Sequence, residues 1–424
     1  MRLLYSFSVY ALLSVLFLYF FWRGLREPEY RKRWSERLGD APSGPEGAIW
    51  IHAASVGEVQ AVTPLITALL SARTDTAILV TTFTPTGSAL VQRRIAQNWG
   101  RRVGHCYLPL DTPRAVRRFL KRVRPRRCLI VETELWPNML LGCQQQGVPV
   151  DLVSATLSER SLQRYLKCPA NRLFPRVMPV VRQVLAQSAE DQQRFVRLGM
   201  AADKVSVVGN LKFDYRPPQD IAEQGMRLRN HWQAAERPVW VAASTHEGEE
   251  QIVLEAFKRL RREMHDLLLL LVPRHPQRFD RSYRLCLDAG LSVARHSRKD
   301  QVDEETEVVL GDTLGDLLAF YAASDVVFVG GSLVPVGGHN LLEPAAQKRP
   351  VLSGPYTDSQ AQQREALLQA GGFIEVRDTA TLAQAVRQLF DAPARRAEMG
   401  KAAFSVVLAN QGIVERTLKQ LFPD

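Results

Sequence analysis

The first carboxylate placed where it could take a proton from a substrate is Glu58, in HAASVGEVQA (residues 52–61), where an apolar run ends and a helical pattern begins. Gly57 lets the backbone turn tightly, and Val59, Val62, Leu65 and Leu69 follow at helical spacing. Pro64 belongs in a first turn, so the pattern also allows a helix start nearer Val62. Either start leaves Glu58 at or near a helix N-terminus. Two readings compete there: a helix-start glutamate favoured by the macrodipole, or a general base at the mouth of a cleft. A full G-x-G-x-x-G is missing, which makes this half a poor dinucleotide binder. In LIVETELWPN (129–138) a strand runs into Glu132, Thr133 and Glu134. If the strand continues, the two carboxylates face opposite ways and one of them faces the cleft, with helix capping as the competing role for both. Lys212, in VVGNLKFDY, is either a solvated surface charge or a cation beside the presumed interdomain crevice.

The second half has more polar groups at strand ends. ASTHEGEE (243–250) follows a strand and opens a helix, so Ser244, Thr245 and Gly248 could cap it or present amides to a phosphate. LLLVPRHPQR sets Arg274 and His275 directly behind a buried strand, where a planar guanidinium suits a pair of phosphate oxygens. In GDTLGDL (311–317) Gly315 allows close approach by a base or a ribose. FVGGSLVPVGGHNLLEPAA carries a strand into two glycine pairs and then Asn340, Leu341, Leu342 and Glu343. Close backbone approach, helix-end amides and a carboxylate one turn in, able to accept both ribose hydroxyls, together point to a nucleotide site.

These residues need strands to carry them. The runs AIWIHA, AILVTTF, HCYLPL, RCLIVETE, VPVDLVSA, RQVLAQS and VSVVGN alternate with helical patterns, and PVWVAAS, LLLLLVP, TEVVLGD, DVVFVGG and RPVLSGP resume the alternation after a polar stretch. This is the pattern of parallel α/β sheets covered on both faces, with ligands at the carboxyl ends of strands. The economical reading is two doubly wound, Rossmann-like domains at 48–215 and 237–405, joined by a linker at 216–236, with a C-terminal helix in 406–424 packing back on the first domain.

Leu3 to Trp22 carries no charge and is just long enough to cross a hydrocarbon core of about 30 Å. Residues 1–25 therefore read as one spanning anchor, and Tyr5, Ser6, Ser8, Tyr10 and Ser14 leave an interfacial helix as the alternative. A basic juxtamembrane segment, 26–47, follows, with EPEYRKRWSERLG as an interfacial helix and APSGPEG as a turn-rich linker. Arg23, Arg26, Arg31, Lys32, Arg33 and Arg37 behind the apolar run put the large domains on the cytoplasmic side. The chain carries 55 Lys and Arg against 44 Asp and Glu, a net charge of +11, which favours an anionic partner. RAVRRFLKRVRPRR (114–127) reads as a helix with an apolar inner face and a positive outer face suited to a lipid head group; it lacks the aromatics of a nucleic-acid platform. Cys106, Cys128, Cys143, Cys168 and Cys286 are scattered, with no C-x-x-C pair, so neither a disulfide framework nor a zinc site is expected.

HAASVGE, FTPTGS, ETELWPN, GNLKFD, STHEGEE, VPRHP, GDT.G and VGGS…GGHN.LE, together with YRKRW.ER behind the anchor, resemble in order the motifs of the Kdo (3-deoxy-D-manno-octulosonate) transferases of lipopolysaccharide synthesis. The resemblance spans the whole chain. It implies a glycosyltransferase B fold, two Rossmann-like domains facing a cleft, and metal-independent, inverting transfer of Kdo from CMP-Kdo to a lipid A precursor at the cytoplasmic face of the inner membrane. It implies that Glu58 is the proton acceptor and that Glu132 and Lys212 stabilise the transition state. It also implies that CMP is held by Pro273 and Arg274, by Leu314, Gly315 and Asp316, and by Asn340, Leu341, Leu342 and Glu343. No cofactor is implied, CMP-Kdo being a substrate. The rival readings are a UDP-sugar transferase of the same fold, a sugar-nucleotide epimerase and a non-catalytic membrane scaffold.

Overall fold

A computed structural model describes residues 2–42, 47–167 and 173–423. Cys168 and most of the APSGPEG turn lie outside the described residues. The chain forms two units, residues 1–214 with 412–424, and residues 215–411.

The first unit is built on seven parallel strands: β1 (Ile49–His52), β2 (Ile78–Thr82), β3 (Val103–Tyr107), β4 (Arg127–Val131), β5 (Val150–Ala155), β6 (Val181–Ala186) and β7 (Val205–Val207), in the order β3-β2-β1-β4-β5-β6-β7. The order reverses between β1 and β4, which pair from Ile49 opposite Arg127 to His52 opposite Ile130. Every residue of β1 and β2 is buried, because helices cover both faces of the sheet. Trp50 packs against Phe119 of the Pro113–Val123 helix, ring centroids 4.8 Å apart and planes tilted by 55°, and both are fully buried. Burying an apolar side chain of that size contributes about 1.5–3 kcal/mol.

The helix after β1 spans Val56–Ala72, so it starts earlier than a Pro64-led turn would allow. Ser55 is its N-cap and Pro64 lies in its interior. The Ile413–Leu421 helix packs on Val56–Ala72, and the Asp214 carboxylate accepts from the amides of Gly412 (3.1 Å) and Val414 (2.6 Å) at its start.

The second unit repeats the plan with β8 (Val239–Thr245), β9 (Leu268–Pro273), β10 (Val293–Arg295), β11 (Val308–Leu310), β12 (Val326–Val329), β13 (Val351–Ser353) and β14 (Phe373–Glu375), all parallel, in the order β10-β11-β9-β8-β12-β13-β14. The order reverses between β8 and β12. The sequence reading missed β10 and β14, the two edges; each has three residues of which one is charged, Arg295 or Glu375, so no apolar run marks it. The polar stretch 216–236, read as a linker, carries the Ile221–His231 helix, whose Ile221 packs on Ala319 and Ala322 of the second unit.

The N-terminal helix runs Arg2–Arg26, and Tyr5–Leu25 is long and apolar enough to cross a membrane. Behind it the basic segment is not one helix. It makes a 3-10 turn at Pro28–Arg31 and an α-turn at Trp34–Arg37, separated by Arg33 in the left-handed region at φ 58°. Arg37 is buried, its guanidinium within 4.1 Å of the Tyr107 ring centroid and near the rings of Phe20 and Phe83, so it does not reach a membrane surface.

Candidate functional site

Glu58 follows β1 and Glu132 follows β4, so both stand at the carboxyl edge where the strand order of the first sheet reverses, the position at which doubly wound sheets bind ligands. Glu58 is the third residue of its helix. Its Oε2 accepts from the Ala54 amide (2.7 Å) and its Oε1 from the Ser55 hydroxyl (2.8 Å), while its own amide donates to Ser55 Oγ (3.4 Å). Glu58 thus stands in the first turn of the helix, as a helix-start glutamate would, but its energetics go further. Burial pushes the Glu58 carboxyl up to about 7, with smaller upward contributions from Glu134 and Glu132 against the lowering by the Ala54 and Ser55 hydrogen bonds. A carboxylate poised near neutrality suits a general base.

Gly57 is helical rather than a positive-φ turn, and a Cβ there would make only ordinary contacts, with Ser55 Oγ at 3.9 Å and Lys212 Nζ at 4.0 Å. Lys212 Nζ donates to Glu132 Oε1 at 2.7 Å. Lys212 sits on a 3-10 turn, Leu211–Phe213, whose cap Asn210 accepts from the Lys212 amide (2.9 Å). Ser154, itself left-handed at φ 49°, accepts from the Leu211 amide (3.2 Å) and, at its carbonyl, from Gln187 Nε2 (2.9 Å). Sequence reading missed Ser154, Asn210 and Gln187. Their only advance sign was their place at strand ends.

Glu132 also departs from the strand, at φ 60°. The opposite-faces argument for Glu132 and Glu134 therefore fails. Glu132 turns toward Lys212, whereas Glu134 accepts from Trp136 Nε1 (2.8 Å) and has its carboxyl raised by burial. A non-glycine residue held left-handed is a local cost that surrounding contacts must sustain, and such residues cluster at functional loops.

In the second unit the β8, β9 and β12 carboxyl ends carry Thr245, Arg274 and Gly330. Ser244 and Thr245 end β8 and Gly248 caps the helix that follows, while the amides engaged at this turn belong to other residues. Buried Glu249 takes the amides of His246 (2.9 Å), Gly331 (2.7 Å), Ser332 (2.9 Å) and Leu333 (2.8 Å) on its two oxygens. Glu249 thus ties the loop after β12 to the helix after β8, and Gly330 has no room for a side chain, since a Cβ would come within 2.8 Å of the Ser244 carbonyl oxygen. The STHEGEE pattern placed a carboxylate at this helix start but gave no sign of its partners. Beside it, Glu250 pairs with Arg278 at 2.9 Å.

His246 and His339 face each other with Nε2 atoms 2.9 Å apart, one imidazole donating and the other accepting. Burial, and then Arg274, lowers His339 to about 4, and burial lowers His246, so both rings are neutral. Arg274 is exposed and, among the described residues, is anchored through its backbone amide to the Thr245 carbonyl (3.0 Å); its charge also lowers the Glu343 carboxyl that burial raises. Asn340 donates from Nδ2 to Glu343 Oε1 (3.1 Å) and accepts from the Leu342 amide (3.0 Å). The Leu341 amide instead donates to Gln363 (3.0 Å). Pro273 ends β9. Leu314, 72% exposed, Gly315 at φ 108° and Asp316 form the turn after β11, one strand over from Arg274. Asn340 and Arg274 thus both act on Glu343, and the Leu314–Asp316 turn stands at the end of the strand that pairs with β9. Among the described residues no cluster of His, Cys, Asp or Glu has the disposition to hold a metal ion.

Comparison with known proteins agrees with this architecture. Residues 32–215 match the family model of 3-deoxy-D-manno-octulosonic-acid transferases. The chain is 39% identical over 403 residues to the 3-deoxy-D-manno-octulosonic acid transferase of Haemophilus influenzae, covering 94% of this chain and 93% of that one. It is 39% identical over 389 residues to the Bordetella pertussis transferase of the same name, covering 90% and 88%. A glycosyltransferase structure from Rickettsia africae superposes with a TM-score of 0.53 at 14% identity, covering 89% of this chain and 98% of that one, and shows the shared glycosyltransferase B fold. The two parallel-sheet units, the motifs at their switch points and near full-length similarity place this chain in the 3-deoxy-D-manno-octulosonic-acid transferase family.

Proposed function

We propose that this Kdo transferase moves Kdo from CMP-Kdo to a lipid A precursor, a tetraacyldisaccharide bisphosphate, with Glu58 as the general base and inversion at the anomeric carbon. The observation that carries the reading is the Glu58 carboxyl, raised to about 7 at the switch point of the first sheet, beside the Lys212–Glu132 pair. The acceptor hydroxyl gives its proton to the Glu58 carboxylate as its oxygen bonds to the anomeric carbon. The bond from that carbon to the CMP phosphate breaks, and its electron pair leaves on the phosphate oxygen. One displacement inverts the centre.

Charge then gathers on the departing phosphate. Arg274, exposed and with no carboxylate hydrogen-bonded to it among the described residues, is suited to receive it, and Lys212 supplies positive potential beside the base. Glu132 holds the Lys212 ammonium in place. Asn340 orients the Glu343 carboxylate for the ribose hydroxyls, and the Leu314–Asp316 turn offers room for the base. In this reading Arg274 and Lys212 carry the electrostatic load, and CMP-Kdo enters as a substrate, with no separate cofactor or metal.

Incubation of the purified protein with CMP-Kdo generated in situ and the tetraacylated precursor, with products resolved by mass, tests the proposal. A gain of one or more Kdo units is expected. CMP release without a heavier lipid, or no reaction with CMP-Kdo while a UDP-sugar is consumed, would overturn it.

A further inference from the structure

The N-terminal helix is docked along the first unit at both of its ends. Near its start the Tyr5 hydroxyl donates to Asp111 Oδ2 (2.9 Å) and the Ser6 hydroxyl to Asn138 Oδ1 (3.2 Å). Asp111 also accepts from the amides of Asn138 (3.0 Å) and Met139 (2.7 Å), so the helix is joined to a knot at the start of the Pro137–Gln145 helix. Near its end Phe20 is buried among Tyr30, Trp34 and Phe83, with the Arg37 guanidinium 5.0 Å from its ring centroid. Tyr5 and Phe20 are separated by about 22 Å of helix at 1.5 Å per residue. A helix crossing the bilayer with these contacts intact would draw Asp111, Asn138 and the neighbouring arginines through the hydrocarbon, where each charge at the centre costs several kcal/mol.

The outward face suits a different placement. Leu3, Phe7, Leu18 and Trp22 are 85, 73, 69 and 62% exposed and follow helical spacing away from the docked residues. Beside this face a cavity of 560 Å³ is lined by Tyr10 of the helix and by Pro113, Arg114, Arg117, Arg118 and Lys121. No carboxylate lines it. Arg118 shares Asp40 at 3.1 Å, and among the described residues Arg114, Arg117 and Lys121 form no ion pair. An apolar stripe next to a mouth of four cations matches the boundary between acyl chains and anionic head groups.

We propose that the N-terminal helix lies in the plane of the membrane interface rather than across it, with its outward stripe in the acyl layer, and that the cavity beside Tyr10 receives the phosphate of an anionic phospholipid. The helix needs no charged face of its own, because the first unit covers its inner side. This placement is independent of the reaction.

Two experiments on the full chain test it. A protease-cleavable tag placed before Met1 should be cut in sealed inside-out inner-membrane vesicles as completely as after detergent is added; protection until detergent is added would overturn the in-plane helix. Arg114→Gln/Arg117→Gln/Lys121→Gln should lose roughly 100-fold of its preference for phosphatidylglycerol over phosphatidylcholine vesicles. Lys258→Gln/Arg259→Gln/Arg262→Gln, with the same charge change on the second unit, should keep that preference. An unaltered preference in the first variant, or equal losses in both, would overturn the cavity as the lipid site.

Discussion

At the switch point of the first sheet the chain sets a Lys212–Glu132 ion pair near two further glutamates, Glu58 and Glu134; at that of the second it gathers neutral imidazoles, an exposed arginine and a glycine loop pinned by a buried carboxylate. Both sites use the same geometry, a strand end where the order reverses. They differ in what burial does. In the first unit, desolvation and neighbouring carboxylates lift Glu58 into the range where it can exchange a proton near neutral pH. In the second, the carboxylate at the corresponding helix start, Glu249, is held by four amides and serves the backbone. The comparison teaches that a glutamate after a doubly wound strand is not one device. Its role depends on whether its oxygens are left with spare capacity.

The largest expected effect tests the chemical half of that contrast. Glu58→Gln preserves the size of the side chain and removes the proposed base, so turnover should fall by roughly 10²- to 10⁴-fold. CMP binding, measured by calorimetry, should stay within about twofold of the unmodified protein. Turnover close to that of the unmodified protein would dissolve the distinction between the two sites.

Glu249→Gln probes the structural half. It leaves two of the four loop amides without an acceptor, and each such buried donor costs about 1–3 kcal/mol. Thermal unfolding should shift down and CMP affinity should drop, while the pH at which the surviving activity titrates stays where it was. Unfolding and CMP binding that both match the unmodified protein would show that the loop does not depend on Glu249.

A smaller effect is expected at Arg274. Its side chain pins no backbone, so Arg274→Ala should leave unfolding unchanged and weaken CMP by roughly 10- to 100-fold, the range of one or two charge-assisted hydrogen bonds. An unaltered dissociation constant would remove Arg274 from the nucleotide site.

The pH profile sharpens the comparison most gently. Under the proposed mechanism the base acts as a carboxylate, so kcat/KM should rise with pH through about 7 and level off above it, losing about tenfold per unit below. A profile flat between pH 5 and 8 would take the limb away from Glu58.

Much of this was legible before any coordinates. Burial on both faces made the central strands continuous apolar runs, so β1, β4, β8, β9 and β12 and the residues behind them could be found by eye. The edge strands β10 and β14 could not, because one of the three residues in each is charged, Arg295 or Glu375, whereas β7, an edge of the same length, runs on into Val208. The helix in the polar stretch 216–236 was hidden for a related reason: its buried side is little more than Ile221 and Gly225. Glu58, Glu132 and Lys212 were visible as separate strand-end residues 154 positions apart at most.

What the order of residues carried was the alternation of elements, and with it the two switch points and the side chains behind them, since local periodicity and turn chemistry depend only on near neighbours. What required the folded chain was every pairing across the sequence. The Lys212–Glu132 contact joins residues 80 apart, and the Glu249 loop bonds join residues 82 to 84 apart. The docking of Tyr5 on Asp111 crosses 106. No local pattern encodes such contacts, and the lift of Glu58 comes from the desolvation they create, so its acidity belongs to the tertiary structure alone.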